Sequence, residues 1–343
     1  MHRVTASRIA ILAVALGASP GPLLAWDLFG HHVVGAVAWE VLSPSTRLAS
    51  CELLQKAPRD SDLPGLMPPG SRPLEARCRE LFIKAQGWAD LVRDEIWSNR
   101  KGRYDRPEWH YVNRFWKPGP AGPTPLAELG TLGELSIRLT ESIGKAGDAA
   151  LPAAERAVAL AWVLHLTGDA HQPLHSSGRV TPLDPKGDRG GNDFALDDLE
   201  SPNLHALWDS ILRRARRQSH GEGYFRWVSR VSGEVAASHP PAALAREIAT
   251  DSTDAWSREG AALAMSAAYP PYLERGAPVP ARYIDEAHAV AGRQAALAGY
   301  RLARVLETIF ARTSESAPDR LPHSRLDPIP RAALQRAPMR TFE

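Results

Sequence analysis

Apolar residues recur at helical spacing in eight stretches of the chain: 32–41, 74–96, 126–143, 153–166, 204–215, 224–237, 242–268 and 284–310. Leu81, Ala85, Trp88 and Val92 trace one stripe, and Ala157, Leu160, Ala161 and Leu164 trace another. The alternation that marks strands is almost absent. Proline-rich joints at 68–73, 118–125 and 270–280 end helices without the look of flexible linkers. The pattern predicts one all-α domain over residues 26–312. Residues 313–343 have scattered charge, several prolines and no period, and read as a loosely held tail.

The first 25 residues stand apart. Arg3 and Arg8 precede the apolar run 9–18, then Pro20 and Pro22, then the small residue Ala25. A basic start, a short apolar middle and a small residue at the end describe a secretory signal peptide, cut before Trp26. The expected location is therefore secreted or periplasmic. No run reaches the roughly 18–20 apolar residues that a membrane span needs, so no membrane insertion is expected.

Composition changes this picture little. At 44% apolar and 23% charged, the chain is neither collagen-like nor wholly disordered. Its 41 basic residues face 39 acidic ones, and losing Arg3 and Arg8 balances the two. Nucleic-acid binding, if present, cannot rest on global charge. Cys51 and Cys78 are the only cysteines. In an exported chain they either bridge two early helices or stay as separate buried thiols. Two cysteines cannot build a cysteine-rich zinc module, so any metal site must use histidine and carboxylate.

The chemistry lies in those residues. In the stretch from His165 to His175, His165 and Asp169 are four apart, so a helix puts both on one face. Pro173 ends that helix and lets His175 turn toward the same cavity or its neighbour. His205 and Asp209 repeat the spacing. One such pair is commonly an ion pair on a helix surface; two, one of them followed by a proline-set histidine, point to metal. Asp90 lies on an otherwise apolar helix face, His110 in a short non-helical stretch, and His31 five residues after Trp26. A freed α-amine at Trp26 has a pKa near 8, so a zinc ion can displace its proton and take the nitrogen as a ligand.

Trp26 with His31, Trp88-Ala89-Asp90, Trp109-His110-Tyr111, the run from His165 to His175 with Gln172-Pro-Leu-His, Gly190-Gly191-Asn192, and His205 with Asp209 occur in this order. Together they resemble the zinc-dependent single-strand nucleases typified by nucleases P-one and S-one, related in fold to zinc phospholipase C. The resemblance runs from Trp26 to about Arg312 and implies three zinc ions. Asp90, His110, His165 and Asp169 would hold one; Asp169 would bridge to a second held by His31 and the Trp26 amine and carbonyl. His175, His205 and Asp209 would hold a third. Six positive charges against three carboxylates and a bridging hydroxide leave an excess of about two, enough to attract phosphate to a neutral protein. That hydroxide would attack phosphorus with help from Asp90, and the products would carry 5′-phosphates.

The same resemblance puts a cation near the phosphate at Arg93, a base-stacking ring at Tyr111, and polar substrate contacts at Asn113 and Asn192. The fungal members have Phe and Asp where this chain has Tyr111 and Asn113. Single-stranded DNA and RNA are the implied substrates, no stable protein partner is implied, and a monomer is expected. A zinc phospholipase C would typically carry Glu where Asp209 stands. A non-catalytic exported zinc-binding protein would lack a ligand.

Overall fold

The computed structural model describes residues 26–93 and 98–315; the segment expected to be a signal peptide and most of the expected tail lie outside them. The chain begins with α1 (Leu28–Val41), α2 (Pro44–Leu54), α3 (Leu74–Ala85), α4 (Trp88–Leu91) and α5 (Ser98–Tyr104). A 3₁₀ turn, Pro107–His110, leads into strand β1 (Asn113–Lys117), followed by β2 (Thr124–Pro125) and β3 (Thr131–Leu132). Then come α6 (Leu135–Gly147), α7 (Ala153–Asp169), a second 3₁₀ turn (Pro173–Ser176) and β4 (Ser177–Arg179). The remainder is α8 (Leu204–Ala215), α9 (Tyr224–Ser238), α10 (Ala245–Ile248), α11 (Thr253–Leu263) and α12 (Ala281–Glu315). The fold is mainly helical, as the periodicity predicts.

Two helices lie at the centre. From Phe29 to Trp39 every residue of α1 is buried, and so is every residue of α7 from Ala159 to Asp169. A helix apolar all round belongs inside, and these two are wrapped by α3, α6, α8, α9 and α12. Close approach depends on glycine. A Cβ on Gly299 of α12 would stand 2.6 Å from Val37 Cγ1 of α1, and one on Gly35 would stand 2.5 Å from Gln86 Cγ.

Three predicted helices come out shorter. The 74–96 stripe breaks at Gln86–Gly87 because Leu28 packs against Gly87, where a Cβ would lie 2.1 Å from its Cδ1. That break starts α4, which carries Asp90. The 126–143 helix begins at Leu135, since Gly130 and Gly133 take positive φ (67° and 96°) and divert the chain into β3. The 242–268 stretch divides at Ser252, whose side chain accepts from Ala255 N and starts α11; a π-helical turn, Ala264–Ala268, follows. The last helix runs to Glu315, taking in three residues assigned above to the tail.

The small sheet, with α2 and α5, is absent from the sequence reading. β1 pairs antiparallel with β2 and β3 and parallel with β4, with Trp116 opposite Arg179. These strands follow His110 and His175 and hold the two 3₁₀ turns together: Val112 N donates to His175 O at 2.8 Å.

Cys51 and Cys78 form a disulfide between α2 and α3, closing a separation of 27 residues. A loop of that length restricts the unfolded chain by about 3.5 kcal/mol. Replacing both cysteines by alanine is expected to lower unfolding free energy by about that amount, read from urea unfolding, with the m-value raised because the uncrosslinked unfolded chain exposes more surface.

Candidate metal centre

Asp169 ends α7 with its carboxylate fully buried. Its Oδ1 lies 3.3 Å from His31 Nε2, while its Oδ2 lies 3.1 Å from His110 Nδ1 and 3.2 Å from His165 Nε2. His165 Nε2 and His110 Nδ1 are 3.0 Å apart. Asp90 faces the same cluster, with Oδ1 3.8 Å from the His110 and His165 nitrogens and Oδ2 3.9 Å from His31 Nε2. Both carboxylates therefore stand between His31 on one side and the His110–His165 pair on the other.

The start of the chain's described part seals this cluster. Trp26 is completely buried, and its indole Nε1 donates to Gly168 O at 3.1 Å. Gly168 must lack a side chain, because a Cβ there would sit 2.7 Å from His31 Nδ1. Asp27 caps α1 by accepting from Gly30 N at 3.0 Å and takes a 2.7 Å bond from Arg213 Nε. Its own N–H donates to Asp209 O at 2.9 Å, tying α1 to α8.

The third group is more loosely spaced. Asp209 Oδ2 lies 3.5 Å from His205 Nε2, and Oδ1 lies 4.0 Å from His175 Nε2. Backbone carbonyls set these rings. His165 Nδ1 bonds Gln86 O at 2.7 Å, His175 Nδ1 bonds His110 O at 2.5 Å, and His205 Nδ1 bonds Gly190 O at 2.8 Å. A neutral imidazole that donates from Nδ1 presents a bare Nε2 lone pair, the arrangement a metal ligand requires.

Donor spacing and the bonds left unmade test whether metal fits. A tetrahedral zinc site with bonds of about 2.0–2.1 Å spaces its donors about 3.3–3.4 Å apart. The tightest pairs here span 3.0–3.5 Å, and three groups each gather ligand atoms within 4.8 Å: His31, Asp90 and His165; His110, His165 and Asp169; His175, His205 and Asp209. Both oxygens of Asp169, Oδ1 of Asp90, Nε2 of His31 and Nε2 of His175 are buried without a hydrogen-bond partner among the described residues. Leaving such atoms unsatisfied is costly; a divalent cation in each group satisfies them together. The residues fit the metal.

Protonation tells the same story. Burial, then the His165 charge, lowers the His31 pKa, and burial with Arg93 lowers His110 to about 3. Burial also lowers His175. For His165, burial is outweighed by Asp169 and Asp90, which raise it to about 8. Asp169 is held well below the usual carboxylate range, where the surrounding imidazoles, His165 foremost, overcome burial. Asp209 is pushed well above that range, chiefly by burial and further by Asp27, Asp90 and Asp169.

The other predicted site residues lie around this core. Arg93 is buried against Asp90 (3.7 Å) and Asp105 (3.4 Å). Tyr111 is half-buried with its ring against Gly133, and Asn113 is buried at the head of β1. Asn192 is half-exposed, and its amide closes a turn by donating to Arg189 O at 2.8 Å. His171 spends both its nitrogens away from the ligands, on Thr167 O and on Arg301. His32 points away to Tyr224 at 2.8 Å.

Sequence reasoning assigns no role to Gln172. Its buried side chain donates from Nε2 to Asp209 Oδ1 at 2.7 Å, and its Oε1 accepts from Leu174 N at 2.6 Å. One amide thus sets both the Asp209 carboxylate and the turn that carries His175. Its place in Gln172-Pro-Leu-His next to a ligand was the signal available.

Among the comparisons with known proteins, the family model described as S1/P1 Nuclease matches residues 26–311. Comparison with curated proteins gives no match.

Replacing Gln172 by leucine removes the bond that orients Asp209. Metal affinity at the third group is expected to fall 10–100-fold, with the Asp169 cluster still loaded, as read by competition with a graded chelator. Acid and base act on the metal-free protein in opposite directions. The lowered His31, His110 and His175 contribute stability that is complete above their unfolded value near 6.5 and is lost on acidification. The raised His165 contributes stability that is complete below pH 6.5 and lost as pH rises through about 8. On these groups metal-free Tm is therefore expected to peak at about pH 7, between the unfolded value and the raised His165 value, and metal, by displacing the His165 proton, to abolish the decline above the peak.

Proposed function

From the premise that the chain belongs to the S1/P1 nuclease family, we propose that it is an exported, zinc-dependent endonuclease. It hydrolyses phosphodiester bonds of single-stranded DNA and RNA to 5′-phosphate products. The observation that carries this reading is the buried Asp169 carboxylate, with one oxygen toward His31 and the other toward His110 and His165. A carboxylate so placed suits two ions side by side.

In this reading Asp169, Asp90, His110 and His165 hold one zinc. Asp169, His31 and the amine and carbonyl of Trp26 hold a second, the amine being freed when residues 1–25 are cut away. His175, His205 and Asp209 hold a third. Bound zinc supplies water with a pKa of about 7 and an electrophile for phosphoryl oxygens.

The chain's own groups do the rest. Asp90, within 4 Å of three ligand nitrogens, orients the attacking water by accepting its hydrogen bond. Arg93, held by Asp90 and Asp105, offers a guanidinium to the phosphate. Tyr111 provides a ring for an unpaired base, which favours single strands because pairing hides the base face. Asn113 and Asn192 offer amide groups to base and phosphate. With basic and acidic residues nearly equal, 41 against 39, attraction for the strand is concentrated at the metal centre.

The decisive assay sets single-stranded DNA, RNA, duplex DNA and phosphatidylcholine side by side, each with and without chelator. Both single-stranded polymers are expected to be cut at least tenfold faster than duplex, chelator abolishing the activity and zinc restoring it. Hydrolysis of the lipid but of neither polymer would defeat the proposal.

A further inference from the structure

Beyond the metal centre, a cavity of about 570 Å³ opens at the far end of the small sheet. Trp116, Arg179, Phe194 and Tyr269 line it, with Pro120 and Ser266 at its walls. The Arg179 guanidinium carbon lies 6.0, 5.7 and 5.3 Å from the ring centroids of Trp116, Phe194 and Tyr269. Its Nε is buried with no hydrogen-bond partner among the described residues, and no carboxylate there forms an ion pair with it. Asp188, the acid whose charge acts on it, already accepts from Arg179 N (3.0 Å) and Tyr269 Oη (2.7 Å). The side chain therefore brings a cation, boxed by three rings, to a cavity able to take an anion with a flat partner.

One lining residue of this cavity, Tyr269, reaches the backbone beside the third metal group. A Cβ on Gly191 would lie 3.2 Å from Tyr269 Oη and 3.4 Å from His205 N, so a single glycine separates the aromatic wall from a ligand's backbone. Phe194 O accepts from Leu204 N, the residue before His205. Arg179 follows His175 by four residues, at most about 13 Å at the strand rise.

We propose that this cavity is a subsite for the substrate strand remote from the bond being cut. Arg179 takes a backbone phosphate there, and the half-buried Tyr269 ring, backed by the buried Trp116, takes a base. The inference rests on the nuclease reading above and extends it: affinity is to grow with strand length, because the one internucleotide phosphate of a dinucleotide sits at the metal centre and leaves none for Arg179.

The test compares kcat/KM for a ten-nucleotide single strand and for a dinucleotide, on zinc-loaded wild type and on Arg179→Met. The variant is expected to lose about tenfold on the long strand, mainly through KM, with dinucleotide cleavage within twofold. Its salt slope for the long strand should be shallower by about 0.7, the share of one single-strand phosphate contact. Arg179→Lys should recover most of the loss. Because Arg179 also packs among rings, Ser266→Glu serves as a second variant; it adds a repelling charge at an exposed position on the rim and should lower the long-strand rate alone. Equal losses on both substrates, or none on either, would overturn the subsite while leaving the nuclease reading intact. A wild type that cuts neither substrate overturns the nuclease reading, and the subsite with it.

Discussion

A carboxylate with no access to water must be met by charge or by hydrogen-bond donors, and Asp169 is met by three imidazoles, none of them aligned to bond it. Burial opposes the ionised forms here, and the proximity of the carboxylates to His165 favours them, so the cluster rests on charges that must offset one another away from water. The rest of the molecule is organised to maintain it. The two helices that supply Asp169, His165 and His31 are the two buried on all sides. The outer helices hold them so that the cluster cannot relax by opening to solvent.

Binding energy for metal is thereby prepaid by folding. The ring orientations are imposed by carbonyls of Gln86, His110 and Gly190, and Asp209 is aimed by Gln172. Little ligand reorganisation remains to be done when an ion arrives. The spacings also grade the three groups, from 3.0–3.3 Å contacts around Asp169 to 3.5–4.0 Å around Asp209. The looser group is the one adjoining the aromatic cavity, where room for a substrate is useful.

Much of this was legible in the sequence, for a physical reason. His165–Asp169 and His205–Asp209 are read correctly as neighbours because an α-helix converts a four-residue interval into one face. The helical class follows from periodicity, and α8 matches its predicted span residue for residue. The break at Gly87 was hidden because Leu81, Ala85, Trp88 and Val92 keep helical period across it; only the packing of Leu28 makes it necessary. Strands of two to five residues are too short to show alternation. The carbonyls that orient the ligands belong to the backbone, which every residue possesses, so no pattern of side chains could announce them.

The glycine contacts between the central helices carry a consequence for how the molecule tolerates change. Gly299 lies on α12, far along the chain from any residue of the metal groups, yet it fixes how closely α12 approaches Val37 and Val34 O of α1. A single added methyl there would have to be absorbed by displacing α1, and His31 rides on that helix. The metal centre can thus be detuned from a position that contacts none of its atoms, through the seating of the helix that carries His31.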